Sequence, residues 1–238
     1  MEPTTRKTAP VLPLVESLPN LSDRVYSILR HHIADQQLQG GSRLSVPRLA
    51  AQLGVSRTPV KEALERLARD GLVTMLPNRG AYVSLLRRED VDEIYQMREM
   101  LEGLATRVAA EQANPGLLSH LADLLRQGEV AVKAGNVEGH IQVDLEFHRL
   151  IRERAGNRRL IHALGNLQDQ IRIVFRTSAT IAGRMPQALD EHRRILAALR
   201  AGDPDEAEQA ARNHVRRIRA AVLAHMKAPE PPSKVRTV

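Results

Sequence analysis

The stretch GVSRTPVKEALERLARDGLV, residues 54–73, decides the fold of the N-terminal part of the chain. Gly54 opens a turn, after which apolar residues recur at helical spacing as far as Gly71, a residue suited to ending a helix. The apolar face consists of Val60, Ala63, Leu64, Leu67 and Ala68. A shorter helix, residues 46–53, precedes the turn and tolerates Pro47 in its first turn. The pattern therefore predicts a helix-turn-helix.

The flanking segments complete this unit. Upstream, Ser22 is a candidate N-cap for a helix with the apolar face Val25, Ile28, Leu29 and Ile33. Downstream, two β-like runs at residues 72–76 and 81–85 are joined by Pro77-Asn78-Arg79-Gly80, which is a hairpin signal. We expect three helices and a β-hairpin wing, a winged helix-turn-helix domain over residues 20–86.

From residue 89 onward the sequence has a helical pattern without strand signals. Breaks rich in Gly, Pro and Asn separate six predicted amphipathic helices, at about 90–112, 116–134, 137–154, 158–179, 185–201 and 204–227. Short connections favour an all-α antiparallel bundle over residues 89–227. The proline-rich ends, residues 1–19 and 228–238, are expected to be flexible tails. The predicted fold class is mainly α.

Charge is distributed unevenly between the two parts. Residues 1–88 hold 13 Lys/Arg and 7 Asp/Glu, whereas residues 89–238 hold 22 and 21, so nearly all of the net charge of +7 lies in the first third. This asymmetry indicates a domain that meets a polyanion. With 2% aromatic residues the chain has few rings on which single-stranded bases could stack, so double-stranded DNA is the expected partner.

Cysteine is absent, which excludes disulfides and thiolate metal sites. The sequence has no apolar run of about 20 residues and no secretory signal pattern, so a soluble cytoplasmic protein is expected.

Three polar residues near the start of the second helix of the helix-turn-helix lie off its apolar face. In a recognition helix this first turn enters the major groove. Arg57 can pair with guanine O6 and N7, and Lys61 can contact a base or a phosphate. Thr58 is a candidate N-cap whose hydroxyl and backbone also offer donors to a phosphate. Arg79, at the tip of the hairpin beside Gly80, can reach an adjacent groove.

These residues carry a resemblance to a known family. Residues 54–73, preceded by LAAQL and followed by NRGAYV, resemble the winged helix-turn-helix of the GntR family of bacterial transcription regulators over about residues 20–84. The resemblance implies that Arg57, Thr58 and Lys61 contact operator DNA and that the wing glycine, Gly80, enters the minor groove.

Other basic residues of this domain are treated separately. The short helix of the family usually carries an acidic residue and then an arginine where this chain has Val46 and Pro47, so Arg48 is the candidate replacement for that DNA contact. For Arg66 and Arg69, a solvated helix face is the better interpretation.

Four ionisable residues of the C-terminal part occupy positions where apolar ones are expected. Asp144 and His148 lie four apart on one helix, and His192 and His214 lie on the apolar faces of two others. Each would be costly to bury alone, whereas a divalent metal ion accommodates all four. Zinc is the first choice, with nickel, manganese or iron as alternatives. For a single histidine an ordinary core position is the commoner explanation, but four such residues together favour the metal.

Arg98 also lies on an apolar face, that of helix 90–112. An inward arginine can anchor the carboxylate of an effector, or it can form an internal salt bridge with Glu102, and the two interpretations weigh equally. Among the other histidines, His140 and His225 rank second as metal ligands because each lies about one turn from a proposed one. Four further histidines are expected outside the site: His31, His32, His120 and His162.

Residues 91–224 resemble the FCD effector-binding domain of the FadR branch of GntR regulators. The motifs are RxxxE at Arg98 and Glu102, DLEFHRLI, DEHRRILAALRAGD and NHV. The resemblance implies a dimer and a small organic acid or sugar acid bound beside a metal held by Asp144, His148, His192 and His214. Six helices rather than seven indicate the VanR-like subgroup.

Together these features predict a regulator in which the effector controls the operator affinity of a homodimer, by repression or by activation. Two alternatives stay open. One is a metal-dependent hydrolase with a DNA-binding appendage, although Glu146, the nearest candidate base, points away from the Asp144–His148 side. The other is a metal-free regulator whose histidines bind an acid or acyl ligand directly.

Overall fold

The computed structural model describes residues 21–226, apart from the side chains of residues 168–169 and 171–177. Within this range the chain forms nine α-helices and three short β-strands, which confirms the mainly α fold class. The expected tails at residues 1–19 and 228–238 lie outside the described residues, and their flexibility stays a prediction.

The N-terminal unit is a winged helix-turn-helix. Its elements are α1 Leu21–Ala34, β1 Arg43–Leu44, α2 Val46–Leu53, α3 Arg57–Arg69, β2 Val73–Leu76 and β3 Gly80–Val83. The strands form one antiparallel sheet in the order β1-β3-β2, with Arg43 opposite Tyr82 and Leu76 opposite Gly80. Strand β1 was not predicted, because two residues are too few to display the alternation that marks a strand.

Two predicted helix caps in this unit are wrong. Ser22 lies within α1 and is buried, so it does not precede the helix. Thr58 is the second residue of α3, because extended backbone at Ser56 places the N-cap two residues earlier. Ile28, predicted on the apolar face of α1, is 39% exposed, whereas Val25 and Leu29 are buried.

A single apolar core holds α1, α2, α3 and the sheet together. It contains Val25, Leu29, Ile33, Leu44, Leu49, Val60, Leu64, Leu67, Leu72 and Val83. Gly54 ends α2 and Gly71 follows Asp70, the C-cap of α3, with φ of +66° and +74°, a backbone conformation that glycine adopts without a Cβ penalty. The core therefore fixes the orientation of α3 and decides which of its side chains remain outside.

The C-terminal unit consists of six helices, as predicted. They are α4 Arg88–Glu111, α5 Pro115–Lys133, α6 Val137–Ala155, α7 Arg158–Thr180, α8 Arg184–Ala201 and α9 Pro204–His225. The side chains of Asn114, Asn136, Asn157 and Asp203 cap the starts of four of them. Along the described part of the chain, no helix combines the length and the apolar character needed to cross a membrane.

Helices α4, α6, α8 and α9 pack so that their inward faces meet. One apolar cluster joins α5, α6, α8 and α9 around Leu121, Phe147, Ile195 and Leu199. A second joins α4, α6 and α9 around Val91, Tyr95 and Val215. Between these clusters lie the ionisable residues of the C-terminal unit, so the packing of the bundle sets their positions.

Candidate functional site

The residues predicted to contact DNA lie on the surface of the N-terminal unit. All six are exposed: Arg48 on α2, Arg57, Thr58 and Lys61 at the start of α3, and Arg79 and Gly80 in the wing. The apolar face of α3, including Val60 and Leu64, is turned into the core. Contact of these six residues with bases or phosphates stays a prediction.

The N-terminus of α3 has the properties of an anion-binding helix end. No side chain caps it, and its first turn contains no acidic residue. Backbone N–H groups at a helix start carry partial positive charge and bind phosphate oxygens well. Arg57 and Lys61 add full charges beside this end, so the exposed face combines donors for phosphates with donors for base edges.

The wing ends in a narrow turn between β2 and β3. Asn78 and Gly80 have φ of +59° and +95°, and the backbone N–H of Arg79 donates to the carbonyl oxygen of Leu76 at 3.1 Å. A Cβ on Gly80 would meet no atom within 4 Å, so the conformation rather than crowding favours glycine there. The tip is small and exposed, as entry into a groove requires.

Arg66, interpreted from the sequence as part of a solvated helix face, contacts helix α1 in the structure. Its guanidinium lies 4.3 Å from the ring centroid of Tyr26 and pairs with Asp23. These contacts tie α3 to α1.

The four predicted metal ligands are brought together inside the C-terminal unit. Asp144 and His148 come from α6, His192 from α8 and His214 from α9, and all four are buried. One ligand atom from each lies within 4.8 Å of the others. The cluster therefore has the composition and the compactness of a metal site.

The spacing of the imidazole nitrogens fits a coordinated cation. The three Nε2 atoms of His148, His192 and His214 lie 3.2, 3.2 and 3.3 Å apart, and Asp144 Oδ1 lies 3.4 Å from His192 Nε2. Two ligands of a tetrahedral zinc ion, each about 2.0–2.1 Å from the metal, lie about 3.3–3.4 Å apart. Converging lone pairs repel unless a positive charge lies between them, so this donor set is suited to a divalent cation.

Two buried glutamates lie at the Nδ1 atoms of His214 and His148, on the side of each ring away from the converging Nε2 atoms. Glu191 Oε2 lies 2.8 Å from His214 Nδ1, and Glu102 Oε2 lies 3.1 Å from His148 Nδ1. A carboxylate at Nδ1 fixes the proton there and leaves the Nε2 lone pair for a metal. The sequence analysis assigned Glu102 only to a salt bridge and missed Glu191. Its position directly before His192 gave no signal, because neighbouring helical residues normally face different directions.

Each glutamate is held by a buried arginine. Arg98 Nε donates to Glu102 Oε1 at 2.6 Å, and Arg184 donates to both oxygens of Glu191 at 3.2 and 2.6 Å. The salt bridge between Arg98 and Glu102, one of the two interpretations of Arg98 that the sequence left open, is thus present. The role of Arg98 as an effector anchor stays a prediction, while Arg184 was not identified from the sequence.

Burial and charge shift the acidities of the cluster. Burial, reinforced by the neighbouring imidazoles, holds the pKa values of His192 and His214 well below the ordinary 6.5. Burial also raises the pKa of Asp144, against the opposing effect of His148. Burial acts in the same direction on Glu102, but the charges of Arg98 and His148 outweigh it and hold the pKa of Glu102 well below its usual value. The low pKa values keep His192 and His214 neutral at physiological pH, which is the form that binds metals.

The histidines outside the cluster differ in burial. His225, ranked as a second choice of ligand, is exposed, and so are His120 and His162. His140 is buried beside the cluster but is not among the four converging residues, and its Nδ1 has no partner in the described part of the chain. Its pKa is lowered by burial, which keeps it neutral.

Tyr95 on α4 is a buried polar residue that the sequence analysis did not identify. Its side chain is fully buried and its hydroxyl has no partner among the described residues. Burial raises the pKa of the phenol to about 12, so the group is a neutral hydrogen-bond donor at physiological pH.

The fold and these two sites define a winged helix-turn-helix DNA-binding protein with a helical domain that buries a metal-type ligand cluster. Family models agree: residues 21–83 match the bacterial regulatory proteins of the gntR family, and residues 93–217 match the FCD domain. The chain belongs to the GntR family of transcriptional regulators, in the branch that carries an FCD domain, and it binds DNA through the GntR helix-turn-helix.

Similar proteins are regulators as well. The chain is 31% identical to the HTH-type transcriptional regulator YdhC of Bacillus subtilis, over 77% of this chain and 83% of YdhC. It is 27% identical to the HTH-type transcriptional repressor RspR of Escherichia coli, over 83% and 87%. The solved structure of E. coli McbR/YncC superposes with a TM-score of 0.73 at 26% identity, covering 86% of this chain and 98% of that one.

The hydrolase alternative is not supported. The relatives are transcriptional regulators and not enzymes. Glu146, the candidate base, pairs with Arg149 on the outside of α6, away from the buried cluster.

Proposed function

We propose that this regulator binds operator DNA as a homodimer and that its operator affinity is controlled by a small organic acid or sugar acid. The acid binds in the C-terminal unit beside a divalent metal ion held by Asp144, His148, His192 and His214. The observation that carries the proposal is the convergence of three buried Nε2 atoms at 3.2–3.3 Å. A cation shared by these nitrogens would offset the cost of burying four ionisable groups together.

The donor set favours zinc, with nickel, manganese and iron as alternatives, because neutral imidazoles and a carboxylate suit all four. When bound, the ion supplies a Lewis-acidic centre that attracts the carboxylate or hydroxyl oxygens of a ligand. Arg98 supports the proposal that the effector is an acid. Its Nη1 has no partner in the described part of the chain although the side chain is buried. A carboxylate is the group that such a guanidinium binds best.

In the DNA-binding half, Arg57 reads a guanine, Lys61 contacts a base or a phosphate, and Thr58 donates to a phosphate. Arg79 and Gly80 enter the neighbouring groove, and Arg48 takes the place of the arginine usual at position 47. Two recognition helices of a dimer would match a pseudo-palindromic operator.

Repression is the proposed sign of regulation, in line with relatives that are named repressors. We also propose that residues 20–86 and 89–227 act as two domains. The six helices found between residues 88 and 225 support placement in the VanR-like subgroup.

A contact between the two units supports communication between them. The side chain of Gln170, on α7, donates to the backbone oxygen of Asp70 at 2.8 Å, and Asp70 ends the recognition helix. The carboxylate of Asp70 in turn accepts from the Tyr26 hydroxyl at 2.7 Å. Helix α7 also packs against α6, α8 and α9, which carry the four candidate metal ligands. A shift of α7 on effector binding would therefore reach α3.

The test uses fluorescence anisotropy with metal-loaded protein and duplex DNA from upstream of its own gene. Specific binding is expected in the duplex that contains the operator. Organic and sugar acids are then added one at a time, and at least one is expected to change the affinity. A protein that binds no duplex even at low salt, or whose operator affinity no acid alters, would contradict the proposal. Metal analysis of untagged protein distinguishes this proposal from the metal-free alternative, since only the proposal requires a bound metal ion.

A further inference from the structure

The buried ionisable groups among the described side chains form a balanced set of formal charges. Apart from histidines, they are three arginines and three carboxylic acids, all in the C-terminal unit: Arg98, Arg152, Arg184, Glu102, Asp144 and Glu191. The four buried histidines of the same unit are His140, His148, His192 and His214. With neutral imidazoles, these six residues sum to zero.

Adding a divalent cation leaves this interior with two uncompensated positive charges. An unbalanced charge in a low-dielectric interior is costly, and proteins pair it with a counter-charge. The described residues offer no further buried carboxylate for that purpose. By the charges of the described side chains, the metal-bound state is therefore complementary to a ligand with two negative charges, and a single carboxylate would leave one charge unbalanced.

Buried donors without partners indicate where such a ligand would bind. In the described part of the chain, five polar atoms around the cluster have no hydrogen-bond partner; one is the acceptor Glu102 Oε2, which lies 3.1 Å from His148 Nδ1, and the other four are Tyr95 OH, Arg98 Nη1, His140 Nδ1 and Arg184 Nε. All four can donate, and they come from the three helices α4, α6 and α8. Buried polar atoms are normally satisfied, so four such atoms around one cluster indicate a binding site for oxygen acceptors.

These donors belong to one neighbourhood. The Arg98 guanidinium lies 5.2 Å from the centroid of the Tyr95 ring. Besides burial, the charges of Arg98, Asp144 and Arg184 act on the pKa of the Tyr95 phenol, and those of Asp144 and Arg184 act on the pKa of His140. Arg184 pairs with Glu191, whose Oε2 lies 2.8 Å from His214 Nδ1. The donors therefore lie near the four candidate ligands and the two salt bridges behind them.

We propose that the effector is a small dicarboxylic acid, with one carboxylate bound at the metal and Arg98 and the second bound by His140, Arg184 and the Tyr95 hydroxyl. This inference rests on the proposed function, because it assumes the metal and an acid effector. It adds the charge of the ligand and assigns a subsite for its second end.

The first experiment compares ligands that differ by one charge and almost nothing else. Calorimetry on metal-loaded protein measures the Kd of malonate, succinate, glutarate and malate, and of the monoamide of each. At least one diacid is expected to bind about 10-fold or more tightly than its monoamide, because the amide leaves a buried positive charge unpaired. Equal affinities within every pair, or tighter binding of the monoamides, would overturn the inference.

The second experiment removes one donor without disturbing the charge network. Tyr95→Phe deletes only a hydroxyl that has no partner, so metal content and the unfolding temperature of the ligand-free protein should be unchanged or raised. Affinity for the preferred diacid should fall about 10-fold, while affinity for its monoamide changes little. His140→Leu should act in the same direction, and Tyr82→Phe, in the wing, is the matched control without effect. A diacid-to-monoamide ratio unaltered in both cluster variants would overturn the assigned subsite.

The outcomes also separate this inference from the proposed function. If monocarboxylates bind as tightly as diacids and change operator affinity, the proposed function stands and the diacid inference is wrong. If metal-loaded protein binds no acid of either kind, both are wrong.

Discussion

The two units of this protein bury opposite kinds of side chain. Among the described residues of the winged helix, the buried polar side chains are two serines, Ser22 and Ser84, and its charged residues lie outside. The helical unit buries six charged residues and four histidines. The first unit uses its core only as a scaffold for a surface that reads DNA, whereas the second carries its chemistry within the core. A ligand of the second unit is therefore expected to act on its packing and stability as well.

The largest effect is expected from removing a metal ligand. His192→Ala should weaken metal affinity by more than about 100-fold, since loss of an outer-shell partner alone typically costs about 10–100-fold. Operator DNA should still bind, but the effector should no longer change that binding. Competition with a chromophoric chelator measures the metal affinity. His162→Ala, which changes an exposed histidine on α7, is the control, and normal metal retention by His192→Ala would remove His192 from the site.

On the DNA-binding side, Arg57→Ala should weaken specific operator binding by about 1–3 kcal/mol if Arg57 makes a bidentate base contact. Metal content and effector affinity should not change, because the substitution touches neither core. Anisotropy with operator and scrambled duplexes measures the loss of selectivity. Arg69→Ala, at the other end of the same helix, is the control. Equal losses of operator affinity in Arg57→Ala and Arg69→Ala would indicate that Arg57 contributes only its positive charge and no specific base contact.

The buried histidines of the C-terminal unit should make the free energy of unfolding depend on pH. The pKa values of His192 and His214 are lowered in the fold from about 6.5, so below that pH the unfolded chain binds more protons than the folded one. Stability of the metal-free protein should therefore fall as the pH is lowered from 7.5 to 5.5, by up to about 1.4 kcal/mol per pH unit for each histidine. Urea unfolding followed by helical circular dichroism measures it.

The control for this prediction is His214→Gln, which should show a shallower dependence on pH. Stability that is constant over the same range would indicate histidines that are not buried in the neutral form.

The smallest effect concerns the contact that joins the units. Gln170→Ala removes the hydrogen bond to the backbone oxygen of Asp70 and should reduce the coupling between effector and DNA by about 0.5–2 kcal/mol. Affinity for the effector and affinity for DNA, each measured alone, should change little. Gln127→Ala, on α5, is a comparable substitution away from this contact. Coupling that is unchanged in Gln170→Ala would show that the units communicate by another route.

The same contrast explains what the sequence could reveal. The exposed face of α3 was predictable because an apolar stripe of period 3.6 defines inside and outside, and the four cluster residues were found because they interrupt such stripes. The partners of these residues were harder to find. Glu191 on α8 pairs with His214 on α9, and Arg184 is the first residue of α8, so only the packing brings them to the site.

Local geometry set a second limit. The two-residue strand β1 and the start of α3 at Arg57 depend on backbone pairing and on the conformation of Ser56, which residue type alone does not fix. Tyr95 looks like an ordinary core aromatic in the sequence, and its unpartnered hydroxyl is visible only in three dimensions.

The most direct test of the metal-centred account is a crystal structure of untagged protein, with data collected on both sides of the absorption edge of the metal found in the sample. The account predicts one anomalous peak per chain, about 2.0–2.3 Å from the Nε2 atoms of His148, His192 and His214 and from a carboxylate oxygen of Asp144. Crystals grown with added metal that show no peak between these four residues would contradict it.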